Sequence, residues 1–359
     1  MSVVQLSHKE FLLMAHDNAR AAKAAKLVYV NDAEPGISRL KKGKGFVYIY
    51  DNKPLRGKNE VERIRALAIP PAWTNVWICP LPNGHIQATG TDIRQRKQYR
   101  YHNLWSTLRN ETKFHRMVEF GKALPALRLQ LEQDMSQHAL SETKVLATLI
   151  SLMERTYIRI GNTGYEKANG SYGLTTLKDQ HVKINGDSVM FSFKGKKGVY
   201  HEINLRNRRL ARAVKNCRDI PGKELFQYYD ENHQRQKVDS GMVNNYIKEI
   251  SGCDFTAKDF RTWAGSLALL RQLKSVGEAQ GVTARKHNIV QALDEVSKKL
   301  GNTRSVCKKY YVHPGIIQLY EEDALGAYLK QLDDIEVDDG QTGLTADEKV
   351  LMKLLNALC

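Results

Sequence analysis

The chain has 359 residues, 42% of them hydrophobic, and a formal net charge of +16 at pH 7. That length supports two or three domains with real cores, and no stretch is both long and apolar enough to cross a bilayer. A surplus this large exceeds what solubility needs and points to a polyanionic partner, nucleic acid before acidic membrane.

The elements read in chain order begin with a helical lead over about 7–25. Its FLLMA stretch is too short for a secretory signal and follows His8, Lys9 and Glu10, so it reads as a surface helix. A turn-rich basic linker, NDAEPGISRLKKGKG, comes next. FVYIYDNKPL then reads as strand and turn, NEVERIRALAI as a short amphipathic helix, and NVWICPLPNGHIQATGTD as strand, turn and strand. Residues 35–105 thus form a small α+β domain. Helical patterns follow at 105–121, 124–138 and 142–158, the last with Ser141 as N-cap and an end near Gly161.

One β island interrupts the helices. HVKINGDSVMFSFKGKKGVYHEINL carries Asn185-Gly186 as a hairpin turn and Gly195-Lys196-Lys197-Gly198 as a second turn, which makes a three-stranded meander. Helices resume at 206 and run nearly to the end. The expected class is α+β: a small sheet-containing domain over 1–105 and a larger, mostly α-helical one over 106–359. Between Glu321 and Gly340 eight acidic residues face one lysine, Lys330; this acidic tail reads as a solubilising segment. The five cysteines, Cys79, Cys217, Cys253, Cys307 and Cys359, include no CxxC pair. They argue against a disulfide framework or a zinc module and for a reducing cytosol.

Five segments could carry chemistry. MERTYIRIGNTGY puts Arg159 at the end of the 142–158 helix, where the macrodipole alone would explain a cation. FKGKKGV puts Lys196 on a projecting turn, a place for a solvated lysine or for one that enters a groove and delivers a proton. FTAKDFRTWAGSLALL opens with Thr256 and Asp259 at capping-box spacing. Arg261 then stands in the first turns, against the dipole, where an anion such as phosphate would be favoured.

In GNTRSVCKKYYVHP, Thr303 can cap a short helix that Pro314 stops. Tyr310 and Tyr311 point about 100° apart there, so one can be core while the other faces a cleft. Tyr310 shares a face with Val306, which favours Tyr311 for the cleft and leaves both open. Finally, GTDIRQRKQYRYH interleaves cations with Tyr99 and Tyr101 on one strand face. This suits a phosphate track with base or sugar contacts, and Arg94, Arg96, Lys97, Gln98, Tyr99 and Tyr101 are the candidate contacts.

Together these segments resemble the small type IB DNA topoisomerases, the bacterial and poxvirus group, from about Gly36 to Tyr320. The likeness rests on GISRLKKGKGF, RIRALAIPPAWTNVWICPLPNGHIQATGTDIRQRKQYRYH, YIRIGN, FKGKKGVYHE, KDFRTWAG and GNTRSVCKKYY. The long N-terminal stretch is specific to the bacterial branch. The resemblance implies Arg159 and Arg261 as the catalytic arginines, Lys196 as the catalytic lysine and general acid, and Tyr311 as the nucleophile. Asn302, nine positions before it, stands where many members have histidine. Asparagine is common there in bacterial members, and it can hydrogen bond to phosphate but cannot exchange a proton charge.

The implied reaction is attack of the tyrosine oxygen on a phosphodiester of double-stranded DNA, giving a 3′-phosphotyrosyl link and a free 5′-hydroxyl. The strand then rotates and the hydroxyl attacks back, so neither ATP nor metal is needed. A phenol of pKa about 10 needs cations beside it to favour its anion. The resemblance further implies a C-shaped clamp of two domains around the duplex and a cytoplasmic, nucleoid-bound monomer with no cofactor and no membrane association. Two rivals stand beside this reading. A tyrosine recombinase shares the Arg–Lys–Arg–Tyr set but usually begins with a helical domain. An architectural DNA binder explains the charge but leaves Arg261 at a helix start without a purpose.

Overall fold

Antiparallel pairing organises the first third of the chain and helix packing the rest, the α+β arrangement expected. The computed structural model describes residues 7–15, 17–43, 45–277, 279–332 and 342–358. Two compact units separate at Arg116/Met117. Most of the acidic run lies in 333–341, outside the described residues. Among the described residues no helix is long and apolar enough to cross a membrane.

In the first unit, α1 (His8–Ala15) and α2 (Asn18–Ala24) form the lead. The strands are β1 (Ile37–Lys42), β2 (Gly45–Tyr50) and β3 (Lys53–Pro54), then, after α3 (Lys58–Ala66), β4 (Thr74–Ile78), β5 (Ile86–Thr91) and β6 (Lys97–Tyr101); α4 (Asn103–His115) closes the unit. The strand order β3-β2-β1-β4-β5-β6 makes one six-stranded sheet. Ile64 of α3 packs with Ile37, Val76, Ile78 and Ala88 of the sheet. A second cluster, including Phe11, Met14, Leu27, Trp105 and Leu108, joins the lead helices to α4.

The second half of the basic linker is therefore not a linker but β1, a central strand. Its lysines and arginine hide the pattern, yet Ile37 is buried and Arg39 has its charge satisfied in place. The Arg39 guanidinium donates to the carbonyls of Ile69 (3.1 Å), Pro70 (3.0 Å) and Trp73 (2.7 Å).

The second unit starts with α5 (Met117–Ser136), α6 (Glu142–Thr156) and α7 (Thr163–Asn169). The expected meander follows as β7 (Val182–Asn185), β8 (Ser188–Lys194) and β9 (Tyr200–Arg206) in the order β7-β8-β9. Then come α8 (Arg208–Arg218), a two-stranded ribbon of β10 (Gln227–Tyr229) and β11 (Arg235–Lys237), and α9 (Ser240–Ser251). The remaining helices are α10 (Ala257–Val276), α11 (Val282–Leu300), α12 (Arg304–Tyr310), α13 (Pro314–Glu321), α14 (Gly326–Leu329) and α15 (Ala346–Leu358). The ribbon corrects the expectation of a single small sheet; its strands are too short and polar to show a period.

Helix α6 begins where expected, with Ser141 Oγ accepting from Lys144 N at 3.3 Å. It is apolar almost all round, and Val145, Ile150 and Leu152 are fully buried, which marks it as the hub of the helical core. The helices expected over 105–121 and 124–138 do not break before Pro125, which lies inside α5. A proline there costs about 3 kcal/mol, and burial of Phe120, Leu124, Leu127 and Leu131 offsets it.

Helix α15 is locked to this core by a buried ion network. Arg128 donates to Glu154 (2.6 Å) and Glu348 (2.7 Å), and Trp263 Nε1 donates to Glu348 at 2.9 Å. Burial alone would raise the Glu348 carboxyl, yet Arg128, Thr345 N and Trp263 together hold it below the ordinary glutamate value. Arg128→Ala is therefore expected to destabilise the protein by about 3–5 kcal/mol, because it strands buried carboxylates. Urea unfolding would show a lower midpoint with an unchanged slope. The depressed Glu348 pKa contributes stability that is present above about pH 4.3 and lost as pH falls further, so the gap between the two proteins should narrow in acid.

Candidate active site

Arg159 and Arg261 reach the same place from different helices. Helix α6 ends at Thr156, not near Gly161, because Tyr157 turns left-handed at φ 56. That conformation costs a non-glycine residue about 1–3 kcal/mol. It also takes the chain off the helix axis, so Arg159 sits beyond the helix rather than on its last turn. The backbone after it is pinned by Leu174 N donating to Arg159 O at 2.8 Å and Thr175 N to Ile160 O at 2.7 Å.

Arg261 does lie near the start of α10, which opens as the spacing predicts: the Asp259 carboxylate accepts from Thr256 N at 2.8 Å and from Thr256 Oγ1 at 3.0 Å. The side chain is only 5% exposed and leaves its own helix. One terminal nitrogen donates to Tyr157 O, and Nη2 donates to Leu300 O at 2.8 Å. Arg159 Nη2 donates to Gly301 O at 2.8 Å and to Asn302 Oδ1. The carbonyls that receive both arginines thus lie at the C-termini of α6 and α11, the negative ends of two helix dipoles.

Helix α11 stops in a way that places Asn302. Gly301 is left-handed at φ 59, Gly301 N donates to Lys298 O at 3.1 Å, and Asn302 N donates to Ser297 O at 3.0 Å. This is the bonding of a Schellman stop, which glycine permits. Nine residues on, Tyr311 caps α12 with φ −128, and its N–H donates to Cys307 O at 2.9 Å. A methyl group on Gly265 of α10 would press on the Tyr311 carbonyl oxygen and lie 3.1 Å from Tyr311 Cβ. The Arg261 guanidinium carbon is 5.1 Å from the centroid of the Tyr311 ring.

Of the two adjacent tyrosines, Tyr311 is the half-buried one beside the arginines. Tyr310 is not packing, as had been expected, but 38% exposed, with Lys309 Nζ 5.4 Å from its ring centroid. Helix α12 is too short to bury more than Cys307. Thr303 occupies the N-cap position without a side-chain capping bond.

The electrostatics are unusual for one buried and one half-buried cation. Burial first, then Arg261, pulls Arg159 down to about 10, and only Tyr311 and Cys307 oppose this. Burial likewise lowers Arg261, again opposed by Tyr311 and Cys307. Among the described residues no carboxylate is found acting on either. Two further donors, Arg261 Nε and Asn302 Nδ2, are buried with no acceptor in hydrogen-bond geometry among the described residues, although the Arg261 side chain interacts with the Tyr311 hydroxyl and Asn302 with the Cys307 thiol. Cys307 lies beside Asn302, but a thiol is a weak acceptor at best. A pair of guanidiniums with no carboxylate and two unused N–H groups, facing a phenol, is suited to an anion with several oxygens.

Lys196 is exposed on the turn between β8 and β9. Its neighbour Gly195 is buried and abuts His201 of β9, which in turn abuts Gly301. His201 is one of eleven histidines, and no motif in the sequence marks it. Burial first, then Arg159 and Arg261, holds its pKa below the ordinary value. The alternation of β9 could have found it, since His201, Ile203 and Leu205 share the less exposed face.

The candidate contacts of the first unit lie along the β5–β6 hairpin and β6. Tyr99 and Tyr101 share a face as expected, stacked at 5.7 Å and exposed at 43% and 44%. Two of the cations are already matched: Arg96 Nη2 lies 2.7 Å from Asp92, and Lys97 lies 2.6 Å from Asp32. Gln98 Nε2 and Arg94 N also donate to Asp92, at 3.0 and 2.9 Å. Chiefly through Arg96, the Asp92 carboxyl is pulled down to about 2. Tyr29, absent from the sequence reading, is 50% exposed and stacks on His85 at 4.2 Å.

Residues 97–337 match the family model of the eukaryotic DNA topoisomerase I catalytic core, and residues 45–92 match that of the bacterial DNA topoisomerase IB N-terminal domain. DNA topoisomerase 1B of Acanthamoeba polyphaga mimivirus is 35% identical over 296 residues, covering 80% of this chain and 88% of that protein. DNA topoisomerase 1B of vaccinia virus (strain Copenhagen) is 23% identical over 235 residues, covering 65% and 72%.

An anion site built this way should bind sulfate. At a hundred times its dissociation constant, a ligand stabilises the folded state by about 2.7 kcal/mol. Sulfate also strengthens burial in general, so the informative quantity is a difference in melting shift. Wild type should gain more from sulfate than Arg159→Ala or Asn302→Ala does; equal shifts in all three proteins would refute the site.

Proposed function

The chain belongs to the type IB DNA topoisomerase family, and within it we propose that Tyr311 is the nucleophile, Arg159, Arg261 and Asn302 hold the phosphate, and Lys196 is the general acid. The enzyme relaxes supercoiled DNA by cutting one strand through a 3′-phosphotyrosyl intermediate, letting it rotate, and rejoining it. The observation that carries the residue assignment is a buried and a half-buried guanidinium with no carboxylate acting on either, and two unspent donors, beside half-buried Tyr311.

The chemistry follows from that arrangement. The scissile phosphate takes the place of the missing counter-ion, and its non-bridging oxygens accept from Arg261 Nε and Asn302 Nδ2. These donors are fixed before substrate arrives, so charge building on those oxygens is stabilised without reorganisation. Tyr311 gives its proton to solvent water, and its oxygen bonds to phosphorus as the bond to the 5′-oxygen breaks. Lys196 gives a proton to that oxygen, and rejoining reverses each transfer. The guanidiniums supply the charge that a divalent cation would otherwise bring, and the phosphotyrosyl link keeps the bond energy. The reading therefore needs neither metal nor ATP.

In the first unit, Tyr99, Tyr101, Gln98 and the neighbouring Arg94, Arg96 and Lys97 contact the duplex, with Asp92 and Asp32 ordering the cations beforehand. All five catalytic groups come from one chain, so a monomer suffices. The match of residues 45–92 to the bacterial N-terminal domain supports the bacterial branch of the family, and on that reading the enzyme acts on the nucleoid in a bacterial cytoplasm.

Plasmid relaxation in EDTA without ATP, followed by denaturation to trap covalent adduct, tests the assignment. Tyr311→Phe should bind DNA nearly normally and form no adduct, whereas Tyr310→Phe should still form it. Arg159→Ala and Arg261→Ala should each cleave about 10²–10³-fold more slowly, the loss expected for one transition-state donor. An adduct that persists in Tyr311→Phe would exclude Tyr311 as nucleophile.

A further inference from the structure

We propose that His201 is a positioning residue for the general acid: its ring is the spacer that sets the Lys196 turn against the Gly301–Asn302 turn. The inference rests on Lys196 being that acid.

His201 pairs across the ladder with Phe193, and the two rings stack at 5.1 Å and 20°. Phe193 is 3% exposed, so the imidazole is backed by core on one face. Its edges meet two glycines. A methyl group on Gly195 would lie 2.6 Å from both Cδ2 and Nε2 of His201. One on Gly301 would overlap Cε1 and lie 3.0 Å from Nε2. Gly301 is left-handed and has a conformational reason to be glycine. Gly195 has none: at φ −90 and ψ −165 its backbone is one that any residue adopts. The space a side chain would need at 195 is filled by the His201 ring.

The same ring therefore touches the residue before Lys196 and the residue before Asn302. Gly195 N donates to Val199 O at 2.7 Å and Gly198 N to Gly195 O at 3.1 Å, closing the turn around Lys196. A general acid on a flexible four-carbon stem needs its backbone fixed relative to the phosphate, since misplacement of about 1 Å can cost 10²-fold in rate. Contact with His201 gives the turn that reference. Because burial and the two arginines favour the neutral imidazole, the spacer adds no third charge beside them.

The test uses a leaving group that needs no acid. In single-turnover cleavage, a duplex with sulfur at the bridging 5′ position releases a thiolate, whose conjugate acid has a pKa near 8.5, far below that of an alcohol. Lys196→Ala should cleave the ordinary oxygen substrate about 10²–10⁴-fold more slowly and be restored by sulfur. His201→Ala should bind DNA normally, cleave the oxygen substrate about 10–10²-fold more slowly, and be restored to near wild type by sulfur. Gly195→Ala, which pushes on an intact ring, should show the same pattern. Combined with His201→Ala it should add little further loss, because the ring it displaces is gone. Thermal melts check that each variant folds, and the Gly195→Ala arm stands by itself if His201→Ala does not. Equal slowing on both substrates by the variants at 201 and 195, with Lys196→Ala restored, overturns the role of His201 and leaves Lys196 as the acid. Failure of sulfur to restore Lys196→Ala overturns both.

Discussion

Two guanidinium groups held close together inside protein, with no carboxylate between them, are the constraint on which the site depends. Like charges in a poorly solvated place repel and resist burial, as the lowered values of Arg159 and Arg261 record. What holds them is backbone. The carbonyls of Tyr157, Leu300 and Gly301 lie where α6 and α11 end, and orphan carbonyls at a helix C-terminus are good partners for a cation. The left-handed conformations at Tyr157 and Gly301 are the means by which those helices stop in the right place. Arg261 breaks a local rule at the N-terminus of its own helix and is compensated at the C-termini of two others.

The same chain shows what it does with a buried arginine that has only a structural task. Arg128 is matched by the carboxylates of Glu154 and Glu348; burial works against its charge, but attraction to the two carboxylates outweighs it and leaves Arg128 more firmly charged than usual. Arg96 and Lys97, near the surface, are likewise paired with aspartates. Against those examples, the lack of a carboxylate acting on Arg159 and Arg261 is a specific departure. Stability forgone at such a place is normally recovered when a ligand binds. Under the proposed assignment the phosphate is the first strong anion that these groups meet, because a built-in carboxylate would compete with it for every N–H.

Local chemistry legible in the sequence was borne out where one short signal decides the outcome. Ser141 caps α6, Thr256 and Asp259 open α10, and the two glycine-bearing turns give the meander. Signals failed where a tertiary partner overrides composition. The basic segment 37–42 looks like linker until the carbonyls that receive Arg39 are known. A break between 121 and 124 looks right until the burial around Pro125 in α5 is known. Nothing in the sequence marks Tyr157 as left-handed, because the residue type disfavours it. Helical geometry only leaned toward Tyr310 as the packed tyrosine, and the shortness of α12 denied it a core. The site residues were found through spacing and family likeness, whereas His201 needed the structure: its importance lies in touching two glycines far apart in sequence.

The residue at 302 shows how narrow the chemical choice is at this site. Its Oδ1 accepts from Arg159 while its Nδ2 is left unspent. An amide can do both at once, because it carries acceptor and donor on one rigid plane. Aspartate could accept from Arg159 but would have no proton for a phosphate oxygen, and its charge would cancel that of the arginine. A protonated histidine could donate to phosphate but would add a third cation and give Arg159 no acceptor. Asparagine orients the arginine and still has a hydrogen to give, without changing the net charge that the two guanidiniums present. The Schellman stop at Gly301 fixes the backbone of that amide, so the donor is aimed by the end of a helix and not by a flexible side chain. A neutral residue at this position is thus consistent with the rest of the site, in which charge is supplied by the arginines and geometry by the ends of helices.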